Sequence, residues 1–169
     1  MDPSTFHTTV TLHESSDERP TLRFEHRYPH PQERVWQAIT SSAEHSAWFG
    51  FPVTVEPVVG GEFTVTFSEE MVERGKILEI DAPNLFVYTG REDVFRWRLS
   101  PDGDGCVVVL ENEVGDPGHI PNSAAGFHLA LDKLGDMLDR ETGRTAEGAA
   151  TPSFEELAEH YADTLHQSS

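Results

Sequence analysis

Residues 122–141 read NSAAGFHLALDKLGDMLDRE, the longest helical pattern in the chain. Phe127, Leu131, Leu134 and Leu138 recur at spacings of four, three and four residues, which puts them on one stripe of an α-helix. Gly126, Leu129 and Ala130 widen that stripe, so the helix is expected to lie half-sunk in something concave. Asp132, Lys133, Asp136 and Arg140 supply the wet side. Everything before this helix reads as a sheet that holds it.

The sheet is written in alternation. Phe6, Thr8, Val10 and Leu12 alternate with more polar neighbours, ESSDERP interrupts, and Leu22, Phe24, His26 and Tyr28 resume, so a hairpin is expected. Arg23, Glu25 and Arg27 face the other way, which suits an antiparallel sheet wet on one side. In HPQERVWQAIT, Pro31 stands where a first-turn proline belongs, and Val35, Trp36 and Ile39 share a face. Ser41 precedes Glu44 by three, a capping box for a second short helix that ends at AWFG. The period returns to two at Val53 and Val55, turns at Gly60-Gly61, and continues through Phe63, Val65 and Phe67. Further strands are expected over residues 75–80 and 85–89, separated by the turn DAPN, then at Phe95, Trp97 and Leu99, then at CVVVLENEV after the DGDG turn. GDPGHIPN reads as a loop.

The long helix is expected to be followed by a linker over residues 144–152, rich in small residues, and by a terminal helix within 153–169. Ser153 and Glu156 repeat the capping box there, and Phe154, Leu157, Tyr161 and Leu165 make one face. So short a helix must dock on its own domain, residues 1–143, or on a partner. Together these elements give an α+β fold: a curved antiparallel sheet around a long C-terminal helix, with two short helices after the first strand.

Composition narrows the partners. In 169 residues, 12 Lys and Arg stand against 30 Asp and Glu, a formal charge of −18. Nucleic acid and anionic membranes are repelled by such a surface. The single cysteine, Cys106, lies in an apolar run and reads as a buried small hydrophobe in a reducing compartment. Neither a signal sequence nor a membrane-spanning run is apparent, so a cytoplasmic protein without membrane insertion is expected. The nine histidines show no metal-ligand spacing, and the glycine-rich runs are strand turns rather than phosphate loops. No metal and no cofactor are expected.

Several of these stretches carry a family likeness. The PxERVWQAIT segment, the Trp48-Phe49 pair, the Gly60-Gly61-Glu62-Phe63 hairpin, GKILEIDAPN, and Ala-Gly-Phe-His at 125–128 resemble the domain related to activators of the heat-shock-protein-90 ATPase. That domain belongs to the helix-grip superfamily of START, polyketide-cyclase and birch-pollen-allergen-like (SRPBCC) proteins. The resemblance spans most of the chain and implies a helix-grip fold.

A ligand cavity between sheet and long helix is then expected. Phe127 and Leu131 would form its wall, and His128, His26 and Asn112 a polar end, the mix of a small-ligand site. The resemblance places Trp48 and Phe49 near its mouth as gate residues, and Trp97 offers a stacking surface. No nucleophile, base and orienting group stand at identifiable spacing, so no catalytic residue is assigned. The leading expectation is non-catalytic binding of a small hydrophobic or amphipathic ligand by a monomer or homodimer. The alternatives are a co-chaperone-type module that meets a chaperone through its acidic surface, and a cyclase- or lyase-like enzyme.

Overall fold

The computed structural model describes residues 8–15, 18–143 and 153–165. The expected strand residue Phe6 and the linker 144–152 lie outside them. Strands β1 (Thr8–Ser15) and β2 (Glu18–Tyr28) form the opening hairpin, with Val10 opposite Phe24 and Leu12 opposite Leu22. Both arms are complete before Pro29, so the short helices follow the second strand rather than the first. Helix α1 (Gln32–Thr40) begins directly after Pro31, which occupies the cap position one residue earlier than a first-turn proline. The Gln32 amide donates to Pro83 O, Asn84 Oδ1 and Leu99 O at 3.0–3.1 Å, which ties the start of the helix to the sheet. In α2 (Ser42–Phe49) the Ser41 hydroxyl accepts from the Glu44 amide, and Gly50 at φ 90° ends the helix in the left-handed region that glycine tolerates.

Strands β3 (Val53–Val55), β4 (Glu62–Thr66), β5 (Val72–Asp81), β6 (Leu85–Gly90), β7 (Asp93–Asp102) and β8 (Gly105–Glu113) then run as a meander. Among the described residues they make one eight-stranded sheet in the order β1-β2-β8-β7-β6-β5-β4-β3, every neighbouring pair antiparallel. The hairpin joins the meander along one seam, β2 against β8, from Thr21–Glu113 to Tyr28–Cys106. On the outer face Arg98 reaches Glu111 at 2.7 Å. The inner face carries Leu22, Phe24, Tyr28, Phe86, Trp97 and Leu110, all fully buried.

Helix α3 (Ile120–Glu141) crosses that inner face. It starts two residues before the apolar pattern at Asn122, because Pro121 suits the first turn and a 3-10 turn, Pro117–His119, leads into it in place of the loop expected over GDPGHIPN. Ile120, Ala124, Leu131, Leu134 and Leu138 pack on the core, each large side chain contributing about 2 kcal/mol by burial. The Tyr28 hydroxyl donates to the Leu131 carbonyl at 2.7 Å and pins helix to sheet. Helix α4 (Phe154–Thr164) is capped by Ser153, whose hydroxyl accepts from the Glu156 amide, and buries Leu157 and Tyr161 against α3.

Candidate functional site

Between α3 and the end of the sheet formed by β4, β6 and β7 lies a cavity of about 600 Å³, within the usual range for small-molecule sites. Its floor is Phe63 and Val65 from β4, Phe67 just past the end of that strand, Tyr88 from β6 and Phe95 from β7. One side is closed by His45, Phe49 and Phe51 around the end of α2, and Phe154 of α4 also contributes. The helix contributes Asn122, Ser123, Gly126, Phe127, Ala130 and Lys133. Gly126 and Ala130 put almost nothing into the space, which is why it stays open beneath a helix otherwise packed tight. Phe127 is the hub of the wall, with ring centroids 5.3 Å from Phe95, 5.7 Å from Phe24 and 6.2 Å from Phe49.

Polar and charged side chains share this wall with the aromatic ones, Asp116, His119 and Lys133 among them. Inside it, the buried His45 Nδ1 is 2.7 Å from the Ile39 carbonyl, and burial drives the imidazole down to about 4, a shift that the bond to Ile39 only partly opposes. The Tyr88 hydroxyl accepts the Trp97 indole N–H at 3.0 Å, and burial raises the phenol above its ordinary range. At the sheet end, Glu73 faces Arg91 Nε at 3.3 Å. Burial raises the Glu73 carboxyl, Arg91 opposes that rise, and Asp93 adds to it. Asp93 is itself held by the Gly115 amide at 2.9 Å and the Asn112 side-chain amide at 3.1 Å.

Of the residues singled out in the sequence, the structure brings Phe49 and Phe127 to the cavity wall; His26, Trp48, Trp97, Asn112, His128 and Leu131 are not among its lining. The reason is angular: each helical residue turns about 100° from the last. With Gly126, Phe127 and Ala130 toward the cavity, Leu131 drops into the solid core and His128 turns to the far side. Trp48 is no gate, since its indole N–H donates to the Ala38 carbonyl at 2.8 Å and its ring stands in the core, 6.1 Å from Trp97. Trp97 is fully buried behind Tyr88. Asn112 acts on the cavity only through Asp93. The residue that the sequence reading missed is His45, three before Trp48 and four before Phe49, hence on their side of α2.

His26 and His128 meet elsewhere, around Asp132. The Thr8 hydroxyl lies 2.7 Å from His26 Nδ1 and donates to Asp132 Oδ1 at 3.1 Å, while His128 Nε2 is 3.3 Å from Asp132 Oδ2. His128 Nδ1 in turn sits 2.6 Å from the Tyr161 hydroxyl. This cluster clasps β1, β2, α3 and α4 together. Cys106 is buried, and burial pushes its thiol up to about 11, against the bond to Ser100, consistent with packing rather than reactivity. Among the described residues no group of three His, Cys, Asp or Glu is placed to hold a metal ion, and no helix is long and apolar enough to cross a membrane.

Comparison with solved structures finds the same fold at low identity. The crystal structure of CalU16 from Micromonospora echinospora is similar over 95% of this chain and 99% of its own, with 23% identity and a TM-score of 0.73. EF2215 from Enterococcus faecalis, described as a conserved protein of unknown function, is similar over 93% and 89%, with 15% identity and a TM-score of 0.72. MLL2253 from Mesorhizobium loti matches 71% of this chain and 97% of its own at 22% identity and a TM-score of 0.66. No curated protein matches the sequence significantly. Residues 29–139 match the family described as Activator of Hsp90 ATPase homolog 1-like protein. That match takes in the short helices, the whole meander and nearly all of α3, and the chain is a helix-grip protein that belongs to this family.

Proposed function

We propose that this domain binds a small hydrophobic or amphipathic molecule in the cavity between sheet and α3 and releases it unchanged. The observation that carries the reading is the cavity itself: about 600 Å³ lined by a cluster of phenylalanines and Tyr88 together with polar and charged side chains, the mix an amphipathic ligand fits. Phe49 and Phe127 are its main apolar contacts. A ligand that buries roughly 300 Å² of apolar surface gains about 7 kcal/mol at about 25 cal/mol per Å², before the cost of association. Binding is favoured over turnover because the buried histidine–carboxylate contacts, Asp132 with His26 and His128, and Asp139 with His30 at 2.8 Å, lie outside the cavity, while the pair on its lining, His119 with Asp116 at 3.6 Å, is more than half exposed on both sides. A single buried cysteine suits work in the cytoplasm.

The test is native mass spectrometry of protein taken directly from cells, followed by thermal-shift screening of the stripped protein with lipids and aromatics. A co-purifying small molecule, or a rise in melting temperature that Gly126→Leu abolishes, supports binding. A bare chain with no shift across the library would end the proposal. The family match and the charge of −18 favour one second reading, a module that docks on a basic patch of a chaperone. It requires a complex with purified chaperone at low ionic strength that salt dissolves.

A further inference from the structure

Given that binding reading, we propose that the cavity selects ligands with a hydrogen-bond donor at the end lodged between α2 and β4, a phenol or alcohol in preference to a carboxylate or an ether, with His45 Nε2 as the acceptor. The chemistry follows from one fixed tautomer. A carbonyl oxygen only accepts, so the 2.7 Å contact to Ile39 requires the proton on His45 Nδ1. In the neutral ring, Nε2 is then a bare lone pair. Among the described residues it has no hydrogen-bond partner. The side chain is 1% exposed and still lines the cavity, so with Nδ1 occupied, the opposite edge of the ring is the one that meets the ligand.

The ring is also immobile. It packs at 4.3 Å on Trp48, and meets Phe63 edge-on at 5.4 Å and Phe49 at 5.6 Å. Trp48 is anchored by its own bond to Ala38. A buried acceptor left without a donor is penalised, and a site built to pair a donor discriminates strongly against analogues that lack one. An ether presents only acceptors to this nitrogen. A carboxylate likewise presents only acceptors to this nitrogen, and adds a charge beside a ring whose neighbours Trp48, Phe63 and Phe49 are apolar; the charged groups elsewhere on the lining, Glu73, Asp93, Arg91 and Lys133, are of both signs. Because burial keeps the imidazole neutral down to about pH 4, the preference should be constant from pH 6 to pH 8.

Isothermal titration calorimetry of the full chain with 2-naphthol, 2-methoxynaphthalene and 2-naphthoate tests this with one ring system. The expected result is that 2-naphthol binds at least about tenfold more tightly than either of the others. His45→Phe should bring 2-naphthol and 2-methoxynaphthalene level, and His45→Gln, which keeps an acceptor, should restore part of the difference. Histidine ¹⁵N NMR of the unaltered protein gives the same answer without a variant: the Nε2 resonance should move with 2-naphthol and stay still with the ether. Equal binding of the three probes, tighter 2-naphthoate, or a lead for 2-naphthol that survives in a folded His45→Phe protein overturns the role of His45 and leaves the cavity reading standing. Binding by none of the three overturns both.

Discussion

Two glycines nine residues apart on α3 should respond to alanine with opposite signs. At Gly126 an added Cβ meets nothing closer than Phe154 Cε2 at 4.0 Å, an ordinary contact. The helix then gains what glycine withholds, about 1 kcal/mol, and a protein of this size should melt about 2–4 °C higher. At Gly135 the same Cβ stands 3.2 Å from Tyr28 Cε1 and 3.6 Å from Cδ1. Tyr28 cannot give way: it is fully buried, stacked on His26 at 4.1 Å and held through its hydroxyl to Leu131. Overpacking costs about 1–3 kcal/mol, so Gly135→Ala should lose up to about 2 kcal/mol net despite the better propensity. Urea titrations followed by circular dichroism read both changes as shifts in midpoint at constant slope. Shifts of the same sign, or a destabilised Gly126→Ala, would refute the claim that Gly126 preserves open space while Gly135 preserves close packing.

Three further perturbations read other parts of the molecule. Tyr161→Phe removes the hydroxyl that meets His128 at 2.6 Å and should cost about 1–3 kcal/mol; hydrogen exchange should rise over residues 154–164 with the central strands unchanged, and unaltered exchange in α4 would show that the clasp does not hold it. His45 sets a pH window. Its folded value of about 4 lies below the ordinary 6.5, so above pH 6.5 neither state takes the proton, and between 6.5 and 4 the unfolded state takes it and stability falls. The full effect is about 3 kcal/mol, and a His45→Phe protein with the same acid slope would contradict it. Gly75→Ala drives a Cβ to 1.6 Å from the Thr89 carbonyl oxygen and should cost about 3 kcal/mol or more; thermal melts within a degree of the parent would show that β5 and β6 are looser than described.

Most of the architecture was legible because strands and helix write their faces into the sequence with different periods. Trp97 and Leu99 inward with Arg98 outward is a pattern no helix fits, and the Gly60-Gly61 break marks the β3–β4 turn that pairs Val55 with Phe63. The site was less legible because it depends on where the packed part of α3 ends and its open part begins. Leu131 and Phe127 belong to one apolar stripe in sequence, yet one fills the core and the other faces the cavity. His128 sits next to Phe127 in sequence and across the helix from Gly126 in space. His45 carried a usable signal, its spacing to Trp48 and Phe49, but α2 is too short for its inner face to declare itself by periodicity. Pairings such as Asp132 with two histidines are set by side-chain reach across four elements, which no local pattern encodes.

The seam between β2 and β8 has a consequence for the order of assembly. Neighbours within the meander are neighbours in sequence, so β3 to β8 can pair progressively, one short turn at a time, and β1 with β2 likewise. Joining the two pieces requires residues 21–28 to find residues 106–113 across everything between them, and that closure bears the largest loop entropy of any strand pairing in the sheet. Until it is made, Phe24 and Leu110 have no common interior and α3 has half a groove. A chain emerging from synthesis therefore carries its first hairpin as an unmatched edge for most of its length, open to pairing with other chains. Slow, salt-sensitive losses to aggregation during refolding should originate there rather than at the cavity.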